Sequence, residues 1–373
     1  MNNDIFDWSF KEMNNIINEE QLDFDDVMIV PQPSEIESRK DTVIVKPYYF
    51  KWAGKAIEGN PAMAANMATT GTFEMAKELQ KHQMFCALHK HYTAEELIKF
   101  LEQNKKEFGT NDYIFIGTGL RKDDFEKLKK VMKTGLCNNI CLDAPNGYIQ
   151  GFVQHLNRIR TTFPNSIIMA GNVVTPEKTG ELLRSGADIV KIGLGSGSVC
   201  QTRTQTGVGR PQLSALMDCV SAAKRYGGMI CSDGGIQKPA DYVKAIGAYA
   251  DFVMIGGYFA GCDEASGELV SKYYKSNTAP YREVRNYKMF YGMSSKHAQD
   301  KHYNGLPEYR ASEGIVTLTP HKGPVKNTIQ DLEGGLRSAM TYVGTRTLEE
   351  FPHKVSFYKV RRQLNRNEKS IEL

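Results

Sequence analysis

The stretch GMICSDGGIQKPADYVKAIGAYADFVMIGG, residues 228–257, decides the fold prediction. It begins with a short apolar run, continues with a segment of helical periodicity, and ends with a second apolar run closed by two glycines. Short runs without a polar face are typical of parallel strands that helices cover on both sides. The stretch therefore predicts one strand–helix–strand unit.

The same pattern recurs along most of the chain. Apolar runs predict eight strands, at residues 61–67, 84–89, 112–119, 139–144, 166–173, 187–193, 228–235 and 250–257. A helical pattern follows each of the first seven, and a last one at 331–344 completes the series. Eight such units favour an α/β fold of the closed (β/α)8 type, a TIM barrel. An open doubly wound sheet stays the alternative, because periodicity does not show closure.

We expect a single barrel domain over residues 1–373 with three additions. Residues 1–60 form a lead-in with a strand-like VIV piece at 43–45. Residues 258–330 break the strand–helix rhythm and predict an insertion over the active-site mouth. Residues 352–373 form a basic, polar tail, which is either partly disordered or docks on a neighbouring subunit.

Composition excludes several classes of partner. The 47 Lys and Arg residues nearly balance the 43 Asp and Glu residues, for a net charge of +4, which argues against nucleic acid. The first residues lack a signal-peptide pattern and no apolar run is long enough to span a bilayer, so we expect no membrane partner. The seven cysteines do not form the closely spaced set of a disulfide-bonded secreted domain, which favours a reducing, cytoplasmic location.

Glycine pairs follow the last two predicted strands. SDGG (232–235) ends the seventh strand, and Gly256 and Gly257 end the eighth. In a barrel of this type, the loops after these two strands commonly bind phosphate, and glycine lets backbone N–H groups approach an anion closely. Asp233 beside them suits ribose hydroxyls, which donate hydrogen bonds. The alternative is ordinary turn chemistry.

A cysteine lies in the polar loop GSGSVCQTRTQTGVGRPQ (195–212), after the sixth strand. Free cysteines are usually buried, so one set among glycines and arginines is a candidate nucleophile. Exposed N–H groups and Arg203 favour its thiolate, and Thr202 offers a hydroxyl for proton transfer. The alternative is an unremarkable loop cysteine. The alternating glycines also suit a monovalent cation held by carbonyls.

Two other loops supply candidates. HKHY (89–92) puts Lys90 at the mouth, and RASEG (310–314) joins an arginine to Glu313, although both loops also fit a solvated charged surface. Cys137 and Cys141 lack a second pair to complete a zinc site, so we expect buried thiols.

Several long motifs together resemble one family. They are IMAGNVVT (168–175), GADIVKIGLGSGSVCQTRTQTGVGRPQLSA (186–215), SDGG (232–235), ADFVMIGG (250–257), YGMSS (291–295) and EYRASEG (308–314). In this order, over about residues 22–360, they resemble the IMP dehydrogenase and GMP reductase family. YKMFYGMSS (287–295), YRASEG (309–314) and TYVG (341–344) are nearer to its reductase branch, and neither a paired regulatory domain nor an arginine–tyrosine flap is found.

The resemblance implies that GMP and NADPH give IMP, ammonia and NADP⁺. By similarity, Cys200 attacks C2 of guanine and forms a thioimidate, while Thr202 and Glu313 shuttle the proton that lets ammonia leave. The family is usually a homotetramer, in which the adenosine end of the cofactor reaches a neighbouring subunit near Ser338.

The resemblance also assigns binding residues. Those for GMP are Asp233, Gly234, Gly235, Gly256, Gly257, Gly292, Met293, Ser294, Arg310, Ser312 and Gly314. Those for NADPH are Ser38, Arg39, Lys90, Asp143, Ala144, Pro145, Leu194, Gly195 and Ser338. A potassium ion would be held by backbone carbonyls of Gly195, Gly197, Cys200 and Arg203.

Four residues depart from the family pattern. Ser196 replaces a proline, Gln201 a threonine and Ala68 an aspartate, and Pro145 stands where the cofactor is contacted. Two other functions therefore stay open. One is an IMP dehydrogenase that oxidises IMP with NAD, and the other is a nucleotide-binding regulatory protein with a degenerate site.

Overall fold

A hairpin closes one end of the molecule's central barrel. The computed structural model describes residues 16–275 and 282–360. Its first strands are β1 Val27–Ile29, β2 Lys46–Phe50 and β3 Lys55–Gly59. β2 and β3 pair antiparallel, and Tyr48 stacks on Phe252 inside the barrel with ring centroids 4.4 Å apart. The strand expected at 43–45 is wrong, because only Val43 forms an isolated bridge, to Thr347, before the chain enters the hairpin.

Eight parallel strands close into the predicted barrel. They are β4 Ala62–Ala64, β5 Phe85–Leu88, β6 Ile114–Thr118, β7 Asn139–Asp143, β8 Ile167–Val173, β9 Ile189–Ile192, β10 Met229–Asp233 and β11 Phe252–Ile255. β11 pairs with β4 and β9 pairs with β10, so the ring has no free edge. The eight predicted strands and the closed (β/α)8 fold are confirmed, and the open sheet is excluded.

Each barrel strand buries both faces, which explains its apolar sequence. In β5, Phe85 and Ala87 point into the barrel, where the hairpin and the other inward side chains form one core cluster. Cys86 and Leu88, on the opposite face, join the larger cluster between strands and helices. Alternate residues of a strand point to opposite faces, so two buried layers require apolar residues at every position.

Helices surround the barrel. They are α1 Phe73–Lys81, α2 Ala94–Phe108, α3 Lys122–Met132, α4 Gln150–Thr162, α5 Pro176–Arg184, α6 Thr202–Thr206, α7 Gln212–Tyr226 and α8 Pro239–Gly247. Side-chain caps start two of them: Thr72 accepts from the N–H of Met75, and Thr93 forms a capping box with Glu96. The short helix α6 lies inside a loop whose sequence has no apolar stripe, so only the structure shows it.

The insertion is an antiparallel sheet with one helix. β12 Leu269–Lys275, β13 Arg282–Tyr291 and β14 Val316–Pro320 pair in that order, and α9 Lys296–His302 lies between the last two strands. The N–H of Ile315 donates to the carbonyl of Val199, which ties this unit to the barrel mouth. The final barrel helix, α10 Val325–Val343, begins earlier than predicted, because the Glu264 carboxylate accepts from the N–H of Val325.

The start of the predicted tail is ordered. α11 Phe351–Lys354 precedes β15 Phe357–Lys359, which pairs antiparallel with β1 through Met28 and Tyr358. The predicted basic tail is thus ordered over residues 352–360, because β1 supplies a strand edge that the sequence does not reveal. Residues 361–373 lie outside the described part of the chain. Within the described part, no helix has the length and apolar character needed to cross a membrane.

Candidate active site

A cavity of about 220 Å³ opens at the carboxyl ends of the barrel strands. This is the end of the fold where the loops that follow the strands converge. The residues that line it are Met67, Asp143, Ala144, Pro145, Asn172, Gly193, Leu194, Gly195, Ser196, Gly197, Val199, Cys200, Thr202, Asp233, Gly234, Gly292, Met293, Ser294 and Glu313. The structure thus brings together most of the residues that the sequence selected for catalysis and binding.

Cys200 is the one cysteine of the seven that is not buried. The loop after β9 turns at Gly195, whose φ of +76° favours glycine, and the N–H of Cys200 donates to the carbonyl of Gly197 over 3.0 Å. An isolated antiparallel bridge joins Cys200 to Gly314 of the insertion. The thiol therefore faces the cavity from a loop held on two sides. The expectation that Cys137 and Cys141 are buried is confirmed.

Three side chains form a hydrogen-bonded series. The Cys200 thiol donates to Oγ1 of Thr202 over 3.3 Å, and that hydroxyl donates to Oε2 of Glu313 over 2.9 Å. The N–H of Gln201 donates to the carbonyl of Glu313 over 2.7 Å, which fixes the two loops against each other. Sulfur, hydroxyl and carboxylate are thus arranged so that a proton can pass between the cavity and Glu313.

The glycine pairs form a narrow cradle beside the cavity. Gly234 and Gly235 have φ values of +107° and +81°, which other residues rarely adopt. A Cβ on Gly257 would lie 2.5 Å from Oγ of Ser198, so any larger residue there would displace that hydroxyl. Gly235, Gly256 and Gly257 do not line the cavity itself. Ser198 was not predicted, although its place in the glycine-rich loop, between Gly197 and Cys200, was a usable signal.

The insertion supplies one wall. Gly292, Met293 and Ser294 line the cavity. Ser312 accepts a hydrogen bond from the N–H of Lys296 over 3.2 Å and donates to the carbonyl of Gly314 over 2.9 Å, so it supports the loop that carries Glu313. Arg310 is exposed and is not among the lining residues.

The predicted cofactor residues fall into two groups. Asp143, Ala144, Pro145, Leu194 and Gly195 line the cavity. Lys90 lies at the mouth, with its ammonium 5.9 Å from the ring centroid of Tyr303.

The second group lies elsewhere in this chain. Ser38 caps the turn Arg39–Asp41, which packs on α10, the helix that carries Ser338. None of the three predicted residues in this group lines the cavity.

A lysine at the base of the cavity was missed by the sequence analysis. Lys191 is 1% exposed, and its ammonium bonds the carboxylates of Asp143 and Asp233. Burial by itself lowers the pKa of Lys191, but the two carboxylates outweigh it and hold that pKa well above its usual value. Burial likewise raises the pKa of Asp143, yet the charge of Lys191 brings it below the usual value. The signal was a charged residue inside an apolar strand.

Asn172 was also missed. Its Nδ2 donates to Oδ2 of Asp233 over 2.9 Å and to the carbonyl of Gly193 over 3.0 Å. With Lys191, this amide occupies one oxygen of Asp233, and Oδ1 keeps no hydrogen-bond partner among the described residues. Asp233 therefore presents a free acceptor oxygen from a fixed position.

Carbonyls of the loop predicted to hold potassium accept hydrogen bonds within the chain. The carbonyl of Gly197 already accepts the N–H of Cys200, and the side chain of Arg203 packs on Gly195, whose Cβ would lie 3.1 Å from its Nε. Over the described ranges, no three His, Cys, Asp or Glu side chains group closely enough to hold a metal ion.

Comparisons with known proteins agree with this site. Residues 21–369 match the family described as IMP dehydrogenase / GMP reductase domain. The chain is 44% identical to a GMP reductase of Onchocerca volvulus over 97% of both chains. It is 45% identical to GMP reductase 2 of Homo sapiens over 95% of this chain and 98% of that protein. It is 44% identical to a GMP reductase of Escherichia coli K12 over 93% and 96%. The chain therefore belongs to the IMP dehydrogenase / GMP reductase family, on its GMP reductase branch.

Proposed function

We propose that this protein is an NADPH-dependent GMP reductase, which converts GMP to IMP and ammonia in purine nucleotide interconversion. One observation carries the proposal. The thiol of Cys200, the hydroxyl of Thr202 and the carboxylate of Glu313 are joined in series at the wall of a cavity large enough to admit the purine ring. Relatives named GMP reductase match nearly the whole chain, which supports the same reaction.

GMP binds with its phosphate at the glycine cradle and its ribose at Asp233. Backbone N–H groups at Gly235, Gly256 and Gly257 can approach an anion closely because no Cβ intervenes. Oδ1 of Asp233 accepts from the ribose hydroxyls, and the purine lies against Met293 and Cys200. Ser294, Arg310, Ser312 and Gly314 complete the nucleotide contacts.

Cys200 performs covalent catalysis. Its thiolate bonds C2 of guanine, and the bond between C2 and the exocyclic nitrogen breaks to give a thioimidate. The departing nitrogen takes up a proton that Glu313 and Thr202 shuttle to it, and it then leaves as ammonia. Covalent catalysis divides one difficult displacement into two easier steps, and positioned proton transfer contributes about 10²- to 10⁴-fold in rate.

Residues at the wall and mouth of the cavity, apart from Cys200, fit a nicotinamide cofactor. Asp143 stays ionised and partly exposed at the cavity wall, where it can accept from a carboxamide, and Lys90 at the mouth is a cation suited to phosphates. When bound, NADPH supplies the hydride that reduces C2. The C–S bond then breaks, IMP leaves and Cys200 regains its thiolate. Pro145 lacks an N–H, so residue 145 can offer the cofactor a backbone carbonyl but no backbone donor.

Ser38, Arg39 and Ser338 would meet the adenosine end of a cofactor bound to a neighbouring subunit of a homotetramer. None of the three lines this chain's own cavity, which fits that arrangement. A potassium ion held by carbonyls of Gly195, Gly197, Cys200 and Arg203 belongs to the same proposal, but no step of the mechanism depends on it. Activity in potassium salts against lithium salts tests the ion, and the sedimentation velocity of the protein tests the tetramer.

The reaction is tested by mixing the protein with GMP and NADPH and following the loss of the reduced cofactor's absorbance, with ammonia measured separately. We expect one ammonia for each NADPH consumed. Reduction of NAD by the protein with IMP, without turnover of GMP, would instead identify a dehydrogenase. GMP binding without turnover of either nucleotide would identify a regulatory protein.

A further inference from the structure

The ammonium of Lys191 lies between the two acidic residues assigned to different ligands. Asp143 ends β7 and belongs to the proposed cofactor side, while Asp233 ends β10 and belongs to the substrate side. Lys191, on β9, reaches both carboxylates across the barrel interior. Its third contact is with Oδ1 of Asn66 over 3.3 Å, so each N–H of the ammonium has an acceptor.

The barrel is built tightly around this lysine. A Cβ on Gly171, in the neighbouring strand β8, would lie 2.5 Å from Cβ of Lys191 and 2.6 Å from its carbonyl oxygen, so only glycine fits there. The side chain is 1% exposed and passes within 4.0 Å of Sδ of Met254. A buried cation persists when carboxylates compensate its charge, and here both carboxylates also face the ligand cavity.

We propose that Lys191 is a positioning residue that holds Asp143 and Asp233 in ligand-binding orientation and so links cofactor binding to substrate binding. The inference rests on the proposed function, because that function assigns the two carboxylates their ligands. Lys191 bonds Oδ2 of Asp233, as does Asn172, so both contacts direct Oδ1 toward the cavity. Without the lysine, two carboxylates would share the cavity wall with no cation between them.

Two cysteines and a second lysine also act on Lys191 and its two carboxylates. Cys141 on β7 and Cys231 on β10 adjoin it, and Lys90 acts on Asp143 from the mouth. Burial raises the pKa of Cys141 to about 12 and that of Cys231 well above its usual value, so both stay neutral thiols. If GMP affinity changes with pH near neutrality in a variant that lacks Lys191, the groups that titrate would therefore be the carboxylates of Asp143 and Asp233.

The test measures the dissociation constant of GMP by calorimetry, without cofactor, for wild type and Lys191→Met. We expect binding to weaken by about 10- to 100-fold, the loss expected when one hydrogen bond to a charged group is disrupted. We also expect the variant-to-wild-type ratio of dissociation constants to be larger at pH 6.5 than at pH 8.5, since one uncompensated carboxyl then holds a proton. Taking the ratio cancels the ionisations of GMP itself.

Two further variants control the result. Lys191→Arg keeps the charge and should recover part of the affinity with a ratio that does not vary with pH. Lys46→Met removes a lysine from its pair with Asp251, 3.3 Å away at the other end of the barrel, and should bind GMP as wild type does. If Lys191→Met does not fold, Lys191→Gln gives the same comparison with a shorter, neutral side chain.

The outcomes separate the two proposals. A wild-type protein that binds no GMP overturns the proposed function and the role of Lys191 together. A wild type that binds GMP, with a Lys191→Met ratio within about threefold of one, overturns only the role of Lys191. A pH-independent ratio that Lys191→Arg does not improve shows a structural residue and also overturns it.

Discussion

Replacing Glu313 by glutamine isolates the proton-transfer step. Glutamine has the shape of glutamate, and its amide oxygen can still accept from Oγ1 of Thr202, which lies 2.9 Å from Oε2. The backbone bond from the N–H of Gln201 to the carbonyl of residue 313 is unaffected. The variant therefore keeps the loop in place but cannot hold a proton.

The expected loss falls on turnover. Positioned acid–base catalysis contributes about 10²- to 10⁴-fold, so kcat should fall by that factor, equivalent to about 3 to 5 kcal/mol of barrier. Binding of GMP should change by less than about fivefold, because the substitution replaces a charged acceptor with a neutral one at a single hydroxyl. The assay compares steady-state kcat with the calorimetric dissociation constant of GMP.

A matched control comes from the same loop. Glu308 is exposed and does not line the cavity, so Glu308→Gln should leave both quantities unchanged. The reasoning is refuted if Glu313→Gln retains kcat within about threefold of wild type, or if the whole loss appears as weaker GMP binding. Either result would make Glu313 a binding residue and remove it from the proton path.

Three other outcomes are expected. Iodoacetamide should label Cys200 before the six buried cysteines, and GMP should protect it; mass spectrometry that finds another thiol modified first would contradict this. Arg160→Met should lower the free energy of unfolding, measured in urea, by about 3 to 5 kcal/mol, because it leaves the buried carboxylate of Asp188, 2.7 Å away, without its cation. A change below about 1 kcal/mol would show that other groups compensate the charge of that carboxylate. Gln212→Leu should lower kcat by about tenfold, because Oε1 of this buried amide accepts from the hydroxyl of Ser196 over 2.8 Å and so supports the nucleophile's loop. It should also lower the thermal stability, since the carbonyl of Ile192 and the hydroxyl of Ser232 lose the amide that donates to them. Unchanged kcat would show that the loop needs no such support.

The departures from the family pattern have local structural accounts. Ser196 donates to Oε1 of Gln212 over 2.8 Å and to the carbonyl of Asp233 over 3.3 Å, so hydrogen bonds hold the loop where a proline ring is usual. Ala68 is buried beside Tyr291 and Ala298, and its N–H contacts Sδ of Met293, which lines the cavity. Gln201 contributes its backbone N–H to the Glu313 contact, which any residue except proline could do.

The sequence by itself determined the barrel. A strand buried on both faces must be apolar throughout, and the helix after it must have one apolar face, so both requirements are visible in neighbouring residues. Loops that approach a ligand need glycine and a reactive side chain, which made Cys200 and the glycines at 234–235 and 256–257 visible too. These features depend on positions close together in the chain.

Only the tertiary structure decided which distant residues meet. Thr202 and Glu313 are 111 positions apart and bond because the insertion folds as a sheet over the mouth. Lys191 appears in the sequence as an exception within an apolar strand, and only the closed barrel supplies its two carboxylates. β15 forms a strand because β1 offers it an edge. In each case the stabilising partner comes from a remote segment, so local periodicity carries no trace of it.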